Sequence, residues 1–473
     1  MLPRTGGAHR DRSLEGTMKR FILIVVVLAG LALGGMGLGA YWAGGIAERE
    51  YESARGLLAQ DPSIEVRALA YDRGFRQSRA RSEVVVDGQV ARTVREWLSH
   101  AFADSEALTF RLEDTIDHGP VFFAGTGTLG AARIESRLFP GDTLTDAFPA
   151  LAPDQPLLTS ETLVDFDGNS VVAYRVPDMD WREGGMMVRL AGVHGTAHLN
   201  AALDQVTLEA YMDDVLIGHP AGRFDIADAR LDGEARALSP QLWVGATRMH
   251  VGRLRLDDGA QPLEVDGLEI MWTSDAEDGV VHADLLLASD ASRTPELSLE
   301  GSRVRLRASN IDQGALQQVL EWRDAVERGH MSDEQLTMRV VSLLPEFLRR
   351  NPELAVEELH VGRLDDDALR GRMRAGWSGR EPSMNNPFAI VSGLGLELEV
   401  AGPEAWFESL LAMTNERAPA GDHQTLDQLL EQGLIVPENG GYRSELALRD
   451  GSVYANDQRL GSVWRLIGGF LMP

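Results

Sequence analysis

The chain has 473 residues, which is enough for two or more folding units. Its 72 Asp and Glu residues outnumber its 45 Lys and Arg residues and give a formal net charge of -27. An acidic surface of this kind repels nucleic acids at long range, so no nucleic-acid partner is expected. The chain has no Cys, and Lys19 is its only lysine. The lack of Cys excludes thiol catalysis, disulfides and Cys-zinc sites. Lysine chemistry is excluded everywhere beyond the N-terminus.

Residues 21–42 form an apolar stretch without charge, and a helix needs about 20 such residues to span a membrane. Basic residues cluster before it, which predicts that residues 1–20 lie in the cytoplasm and the remainder of the chain outside it. A cleaved signal peptide is the alternative, but the apolar core of such a peptide has about 7–15 residues and ends at an Ala-x-Ala-like site. We therefore expect an uncleaved, single-pass transmembrane helix.

Four glycines in this stretch have the small-xxx-small spacing of helix-dimer faces. They are Gly30, Gly34, Gly35 and Gly39. A homodimer through the anchor is one interpretation. The other is that glycine is simply frequent in transmembrane helices, and the spacing alone does not choose between the two.

The segments after the anchor change their periodicity. Residues 43–62 keep helical spacing as far as Pro62 and predict a membrane-proximal helix. Residues 63–310 then alternate apolar and polar side chains, as in Leu108–Glu113 and Arg303–Ala308, with turns rich in Asp and Gly between the segments. Alternation with one polar face predicts a long, mainly antiparallel β-sheet region.

Residues 311–473 combine helical and strand patterns, so the overall prediction is an α+β fold. The candidate helix caps are Asp312, Ser332 and Thr425, the last two followed three residues later by Gln. Pro345 is expected to kink or split the helix that contains it. Asp450-Gly451 predicts a hairpin turn, and the apolar run at residues 463–472 predicts a closing helix.

Two patterns match functional sites only in part. Gly125, Gly127 and Gly130 have G-x-G-x-x-G spacing, but no βαβ unit surrounds them, so a strand connection is favoured over a dinucleotide site. His194 and His198 share one face of a predicted strand and could share a metal, yet no carboxylate completes a ligand set. No cofactor, metal ligand or catalytic residue is expected, and we interpret the protein as non-enzymatic.

Two short motifs follow the anchor. They are Tyr71-Asp72-Arg73-Gly74-Phe75 and Asp117-His118-Gly119-Pro120. With the anchor, the strand-rich middle and the closing hairpin, they resemble the bacterial YdgA/YihF-like family (domain of unknown function 945) over essentially the whole mature chain. The resemblance implies a protein of the bacterial inner membrane whose bulk is periplasmic and which has no assigned enzymatic activity. A more distant resemblance to AsmA-like proteins, whose long sheets form apolar grooves, points to lipid.

We interpret the motif residues as structural, with a binding site as the alternative. Gly74 suits a turn with positive φ, and Tyr71 and Phe75 could anchor the start of the sheet. Arg73 is expected to pair with Asp117. In the second motif, Asp117 is followed by His118, Gly119 and Pro120, of which the last two are expected to end a strand.

Two functions fit these expectations. In the first, an apolar groove of the β-sheet binds or shields lipid near the inner membrane. In the second, the protein is a dimeric periplasmic scaffold that docks a protein partner. A continuous exposed apolar face would favour lipid, and a sheet that is fully covered by helices would favour the scaffold.

The predicted topology can be tested with reporter fusions. Alkaline phosphatase fused after Gln60 should be active, because the positive-inside rule places this position outside the cytoplasm. The opposite pattern, an inactive phosphatase with an active β-galactosidase at the same position, would contradict the topology.

Overall fold

The computed structural model describes residues 64–72, 74, 77–86, 107–122, 129–147, 152–183, 185–219, 222–257, 262–295, 298–327, 330–362, 368–379, 393–417 and 424–463. The chain divides into two compact units, residues 1–218 and residues 219–473. We call them the N-terminal unit and the C-terminal unit. The predicted transmembrane helix, the membrane-proximal helix and residues 464–472 of the closing run lie outside the described residues.

Antiparallel strands and one short helix make up the described part of the N-terminal unit. Their bounds are β1 (Ile64–Asp72), β2 (Gln77–Val86), β3 (Leu108–Phe122), β4 (Leu129–Pro140), α1 (Asp142–Ala147), β5 (Leu158–Val164), β6 (Ser170–Arg175), β7 (Met179–Glu183), β8 (Met186–Ala191), β9 (His194–Leu199) and β10 (Gln205–His219). Strands β1 to β6 pair in chain order, and β6 then pairs with β9. β8 and β9 follow each other along β10, and β7 pairs with β8.

Every second side chain of β2 and β3 faces a buried side of the sheet. In β2 the side chains of Ser78, Ala80, Ser82 and Val84 are buried, whereas the residues between them are exposed or half-buried. The alternation continues in β3 over residues 108–116. The period of two that the sequence shows there is the period at which side chains change faces in a strand, so the strand prediction is confirmed.

Longer strands form the sheet of the C-terminal unit. Their bounds are β11 (Gly222–Ser239), β12 (Leu242–Asp257), β13 (Leu263–Glu277), β14 (Val280–Arg293), β15 (Ser298–Asp312), β16 (Glu353–Val361), β17 (Leu369–Trp377), β18 (Leu394–Pro403), β19 (Val436–Glu438), β20 (Gly441–Arg449), β21 (Ser452–Ala455) and β22 (Gln458–Ser462). Strands β11 to β18 pair successively. β18 pairs with β20, which also pairs with β19 and β21, and β21 pairs with β22.

Three of the four helices described in the C-terminal unit begin at the predicted caps. Their bounds are α2 (Gln313–Glu327), α3 (Asp333–Leu348), α4 (Glu404–Arg417) and α5 (Leu426–Glu431). Asp312 Oδ1 accepts a hydrogen bond from the Ala315 N–H at 2.9 Å. Ser332 and Thr425 each form a complete capping box with the Gln three residues later. These side chains satisfy N–H groups that the first helical turn leaves without a partner.

Two local predictions have different outcomes. Asp450 and Gly451 have φ angles of 51° and 69° and join Arg449 to its opposite residue Ser452, which confirms the hairpin turn. Pro345 lies inside α3, which continues to Leu348. The helix is therefore not split at Pro345, and the alternative prediction, a kink, stays a prediction.

The predicted mainly antiparallel β-sheet is confirmed, and few helices accompany it among the described residues. All strand pairs named above are antiparallel, and the period-two segments of the sequence correspond to strands. Among the described residues, none of the helices has the length and apolar character that a membrane crossing requires.

Candidate functional site

The two motifs lie at the same end of β1 and β3, the two strands that flank β2 in the N-terminal unit. Tyr71 lies near the end of β1 and packs against buried side chains of β2, β3 and β4. Asp117 lies on β3 directly opposite Gln77, whose Nε2 donates a hydrogen bond to Asp117 Oδ1 at 2.9 Å. Arg73 and Phe75 lie outside the described residues, so the Arg73–Asp117 pair stays a prediction.

Gly74 is required for a steric reason. Its N–H donates a hydrogen bond to Ser78 Oγ at 3.4 Å, and a Cβ atom at this position would overlap the carbonyl oxygen of Gln77. Gly74 is not among the residues whose φ lies in the left-handed region, so the expected positive φ is not found. The tight approach of the backbone to itself between β1 and β2 explains the glycine instead.

The second motif is part of a continuous strand. β3 does not end at Gly119-Pro120, as the sequence predicts, but continues to Phe122. Its register against β4 shifts between His118 and Val121. Proline has no N–H to donate to a neighbouring strand, and an irregularity of this kind accommodates it.

A buried carboxylate lies close to the motifs. Asp114 on β3 is opposite Ala80 on β2 and Ser136 on β4, and it is only 6% exposed. Its Oδ1 has no hydrogen-bond partner among the described residues. Burial raises the pKa of Asp114 to about 6, against the opposing effect of a hydrogen bond with Ser136. The alternation that starts at Leu108 also places residue 114 on the buried face, and this signal could have identified it.

The glycine-rich segment joins two antiparallel strands. Phe122 at the end of β3 lies opposite Leu129 at the start of β4. Gly125 and Gly127 lie outside the described residues, and Gly130 lies in β4. A dinucleotide site needs a strand followed by a helix, whereas here the strands on both sides form a hairpin.

The two histidines of β9 have ordinary surroundings. His194 and His198 are both exposed. The ring of His194 stacks on Tyr211 with 5.2 Å between the ring centres, and its Nδ1 lies 2.8 Å from the carbonyl oxygen of Gly192. Within the part of the chain that the structure describes, no group of three His, Asp or Glu side chains is placed to hold a metal ion.

The register of the C-terminal sheet aligns apolar side chains across seven strands. One row consists of Trp272, Leu285, Leu306, Val356, Met373, Leu398 and Leu446. We call this row the apolar strip. Neighbouring strands lie about 4.8 Å apart, so its six steps give a length of about 29 Å.

Further apolar residues lie on both sides of the apolar strip. One flanking row contains Ile270, Leu287, Val304 and Leu359, and the other contains Ala283, Ala308, Leu354, Ala375 and Leu396. Residues directly opposite in a sheet share a face, so the three rows form one surface. The sequence shows the alternation within each strand, but only the register shows that the rows are continuous.

This surface is accessible in several places. Trp272 in the apolar strip is 44% exposed, and Leu354 in a flanking row is 51% exposed. The other residues of the apolar strip are half-buried. Single exposed apolar residues are common on soluble proteins, but a contiguous apolar surface usually marks a binding site. The apolar strip is therefore the candidate functional site.

The opposite face of the same sheet carries ion pairs. Arg305 Nε lies 3.0 Å from Asp284 Oδ1, and Arg307 is 3.2 Å from Asp284 and 3.3 Å from Glu357. Arg449 lies 3.0 Å from Glu397. One face of the sheet is thus suited to water and the other to apolar groups.

A depression of about 660 Å³ lies over β16 to β21. Its lining includes Arg372 and Glu399, which pair with each other, and Arg449 and Glu397, which also pair. The opposite charges that line this depression therefore compensate one another.

Residues 18–461 match the family model described as a bacterial protein of unknown function, DUF945. The chain belongs to this family. The match includes both motifs of the N-terminal unit and the whole apolar strip, and it confirms the family resemblance inferred from the sequence. No curated protein matches the chain. No solved structure matches it either.

Replacing Gly74 with Val should destabilise the N-terminal unit. The new side chain would overlap the carbonyl oxygen of Gln77, and overpacking of this kind lowers the free energy of unfolding by about 1–3 kcal/mol. Chemical denaturation of the full chain in detergent measures the change. Gly395→Val is the control, because a Cβ there would meet its nearest backbone atom at 3.8 Å. Equal stability of the two variants would contradict the steric requirement at Gly74.

Asp114 should make stability depend on pH. Its pKa is about 6 in the folded protein, above the ordinary value of 3.8, so the folded state binds more protons than the unfolded state between these values. The stabilisation present below pH 4 is therefore lost as the pH rises through 6. A shift of two pKa units corresponds to a loss of about 3 kcal/mol in the free energy of unfolding.

Asp114→Asn should remove this dependence and raise the free energy of unfolding at pH 7 by about 1–3 kcal/mol. Denaturation curves recorded between pH 4 and pH 7.5 measure the free energy of unfolding and its dependence on pH. Asp117→Asn, on the half-buried side of the same strand, is the control and should leave the pH profile in place. A profile that Asp114→Asn does not change would show that another group causes it.

Proposed function

We propose that this protein binds or shields lipid acyl chains along the apolar strip while an N-terminal helix anchors it in the bacterial inner membrane. The observation that supports this function is the unbroken row of seven apolar residues across the C-terminal sheet. An acyl chain has no polar group along its length, so it gains most from a surface that is apolar from end to end.

The dimensions of the apolar strip support the choice of ligand. Its length is about 29 Å, and the hydrocarbon of one bilayer leaflet is about 15 Å thick, half of a core of about 30 Å. An extended acyl chain therefore fits along the row with several strands to spare. Its flanking rows add width, so the chain would be in contact with apolar side chains on both sides.

The predicted anchor and the acidic surface support the same function. Residues 21–42 would hold the binding surface close to a source of lipid. The net charge of -27 would repel anionic headgroups at long range, which would keep the sheet from adhering flat to the membrane. In this proposal the protein is not an enzyme and acts by excluding water from the acyl chain.

A charged residue in the apolar strip should abolish lipid binding. Leu306 lies between Leu285 and Val356 in the row, and Leu306→Asp places a carboxylate in the path of the acyl chain, where its desolvation would cost several kcal/mol. The full chain is purified in detergent, and mass spectrometry measures co-purified phospholipid and fatty acid. We expect about stoichiometric lipid with the unmodified chain and a loss of at least about ten-fold with Leu306→Asp.

The control introduces the same residue on the other face. Leu286 is next to Leu285 in β14 but points to the face that carries the ion pairs, opposite Arg305. Leu286→Asp should therefore retain the lipid. Equal loss in both variants would indicate general destabilisation. Lipid-free native protein that also fails to bind a fluorescent acyl probe would contradict the proposal and favour the dimeric scaffold.

A further inference from the structure

A groove lies on each side of the apolar strip. On β15 the strip contributes Leu306, and the two flanking rows contribute Val304 and Ala308. Residues two apart along a strand are separated by about 6.7 Å, so the three rows bound two parallel grooves and form a surface about 13 Å wide. A β-bulge in β16 lies between Val356 and Leu359 and keeps both side chains on this surface.

A single acyl chain is too narrow to cover this surface. Carbon atoms in contact lie about 3.5–4.0 Å apart, so an extended acyl chain occupies a width of about 4–5 Å. One chain therefore fills one groove and leaves the other groove in water. Because the hydrophobic free energy is proportional to the apolar area removed from water, a ligand with two parallel chains gains more than a ligand with one.

The end of the apolar strip at Trp272 carries hydrogen-bond donors. Thr247 on β12 lies directly opposite Trp272, and Ser274 lies two residues further along β13 on the same face. Trp272 and Thr247 are exposed. Ser274 Oγ accepts a hydrogen bond from the Gly245 N–H at 3.2 Å, and its O–H can donate to a ligand. One indole N–H and two hydroxyls thus converge at this end.

The other end of the surface stays apolar. Leu446, the last residue of the apolar strip, lies opposite Ala455 on β21, and Leu448 of the flanking row lies opposite Val453. The surface therefore has a direction, with hydrogen-bond donors at the Trp272 end and only apolar groups at the Leu446 end. The residues that form the three rows include no charged side chain.

We propose, as an extension that rests on the proposed acyl-chain binding, that the ligand is a lipid with two ester-linked acyl chains. One chain lies in each groove, and the two ester groups lie at the Trp272 end. Ester carbonyl oxygens accept hydrogen bonds and stand next to the acyl chains, which matches the change from donors to apolar side chains along the surface. Trp272 suits this boundary because its ring is apolar and its N–H is polar. Since the rows carry no charge, they recognise the chains and the esters and not the charge of a headgroup.

Native mass spectrometry of the full chain in detergent tests the number of acyl chains. The probes are dioleoyl phosphatidylglycerol and its single-chain form, monooleoyl lysophosphatidylglycerol. We expect one two-chain lipid per protein, bound at least about ten-fold more tightly than the single-chain probe, because the second groove is also filled.

The possible outcomes separate this inference from the proposed function. Equal affinity for the two probes would overturn the two-chain ligand and leave acyl-chain binding in place. Binding of neither probe would contradict the proposed function and this inference with it. Lipid-free dimers in the same spectra would overturn both in favour of a second copy of the chain as the group that covers the surface.

A variant that fills one groove tests the arrangement of the chains. Ala308→Phe should lower the affinity for the two-chain lipid to that for the single-chain probe, whose own affinity should not change. Ala375→Phe, in the same row, is a second variant with the same expected result. The control is Ala288→Phe on the charged face, opposite Arg303, which should retain the ten-fold preference. Folded Ala308→Phe and Ala375→Phe proteins that both retain the preference would overturn the two-groove arrangement.

The position of the esters is tested with Trp272→Phe, which keeps an aromatic ring but removes the N–H. We expect this variant to bind the two-chain ester lipid about 2–10-fold more weakly than the native chain, the effect of one lost hydrogen bond. A dialkyl ether lipid with the same headgroup lacks the carbonyl oxygens and should bind equally to both proteins. An equal loss of affinity for the ester and ether lipids, or no loss for either, would overturn the placement of the esters at Trp272.

Discussion

The antiparallel register of the C-terminal sheet is the constraint on which its two surfaces depend. Each backbone hydrogen-bond pair fixes which residues are opposite each other, and a shift by one residue would move every side chain to the other face. With the observed register, apolar residues meet apolar residues from Trp272 to Leu446. Charged residues on the other face meet partners of opposite sign at most positions.

The β-bulge in β16 preserves this separation. The segment Val356-Glu357-Glu358-Leu359 places two acidic residues between two apolar ones, which a regular strand would distribute over both faces. The register shift lets Val356 lie opposite Leu306 and Leu359 opposite Val304. Both glutamates then face the arginines of β15. An irregularity in one strand therefore keeps the apolar surface continuous over all seven.

Much of the fold could be predicted from local patterns. The period-two alternation in β3 and β15, the capping boxes at Ser332 and Thr425, and the Asp450-Gly451 turn each depend on neighbouring residues alone. The candidate site could not be predicted in the same way, because it is made by register between strands. Asp114 was not identified, although the alternation that starts at Leu108 places residue 114 on the buried face of β3.

Acyl-chain contact with the apolar strip can be measured directly by replacing single residues with the photo-crosslinker p-benzoylphenylalanine. Trp272 and Thr273 are adjacent and both exposed, but they point to opposite faces of β13. The account predicts that irradiation of cells yields lipid adducts from position 272 and not from position 273. Adducts of equal yield at both positions, or none at position 272, would contradict it.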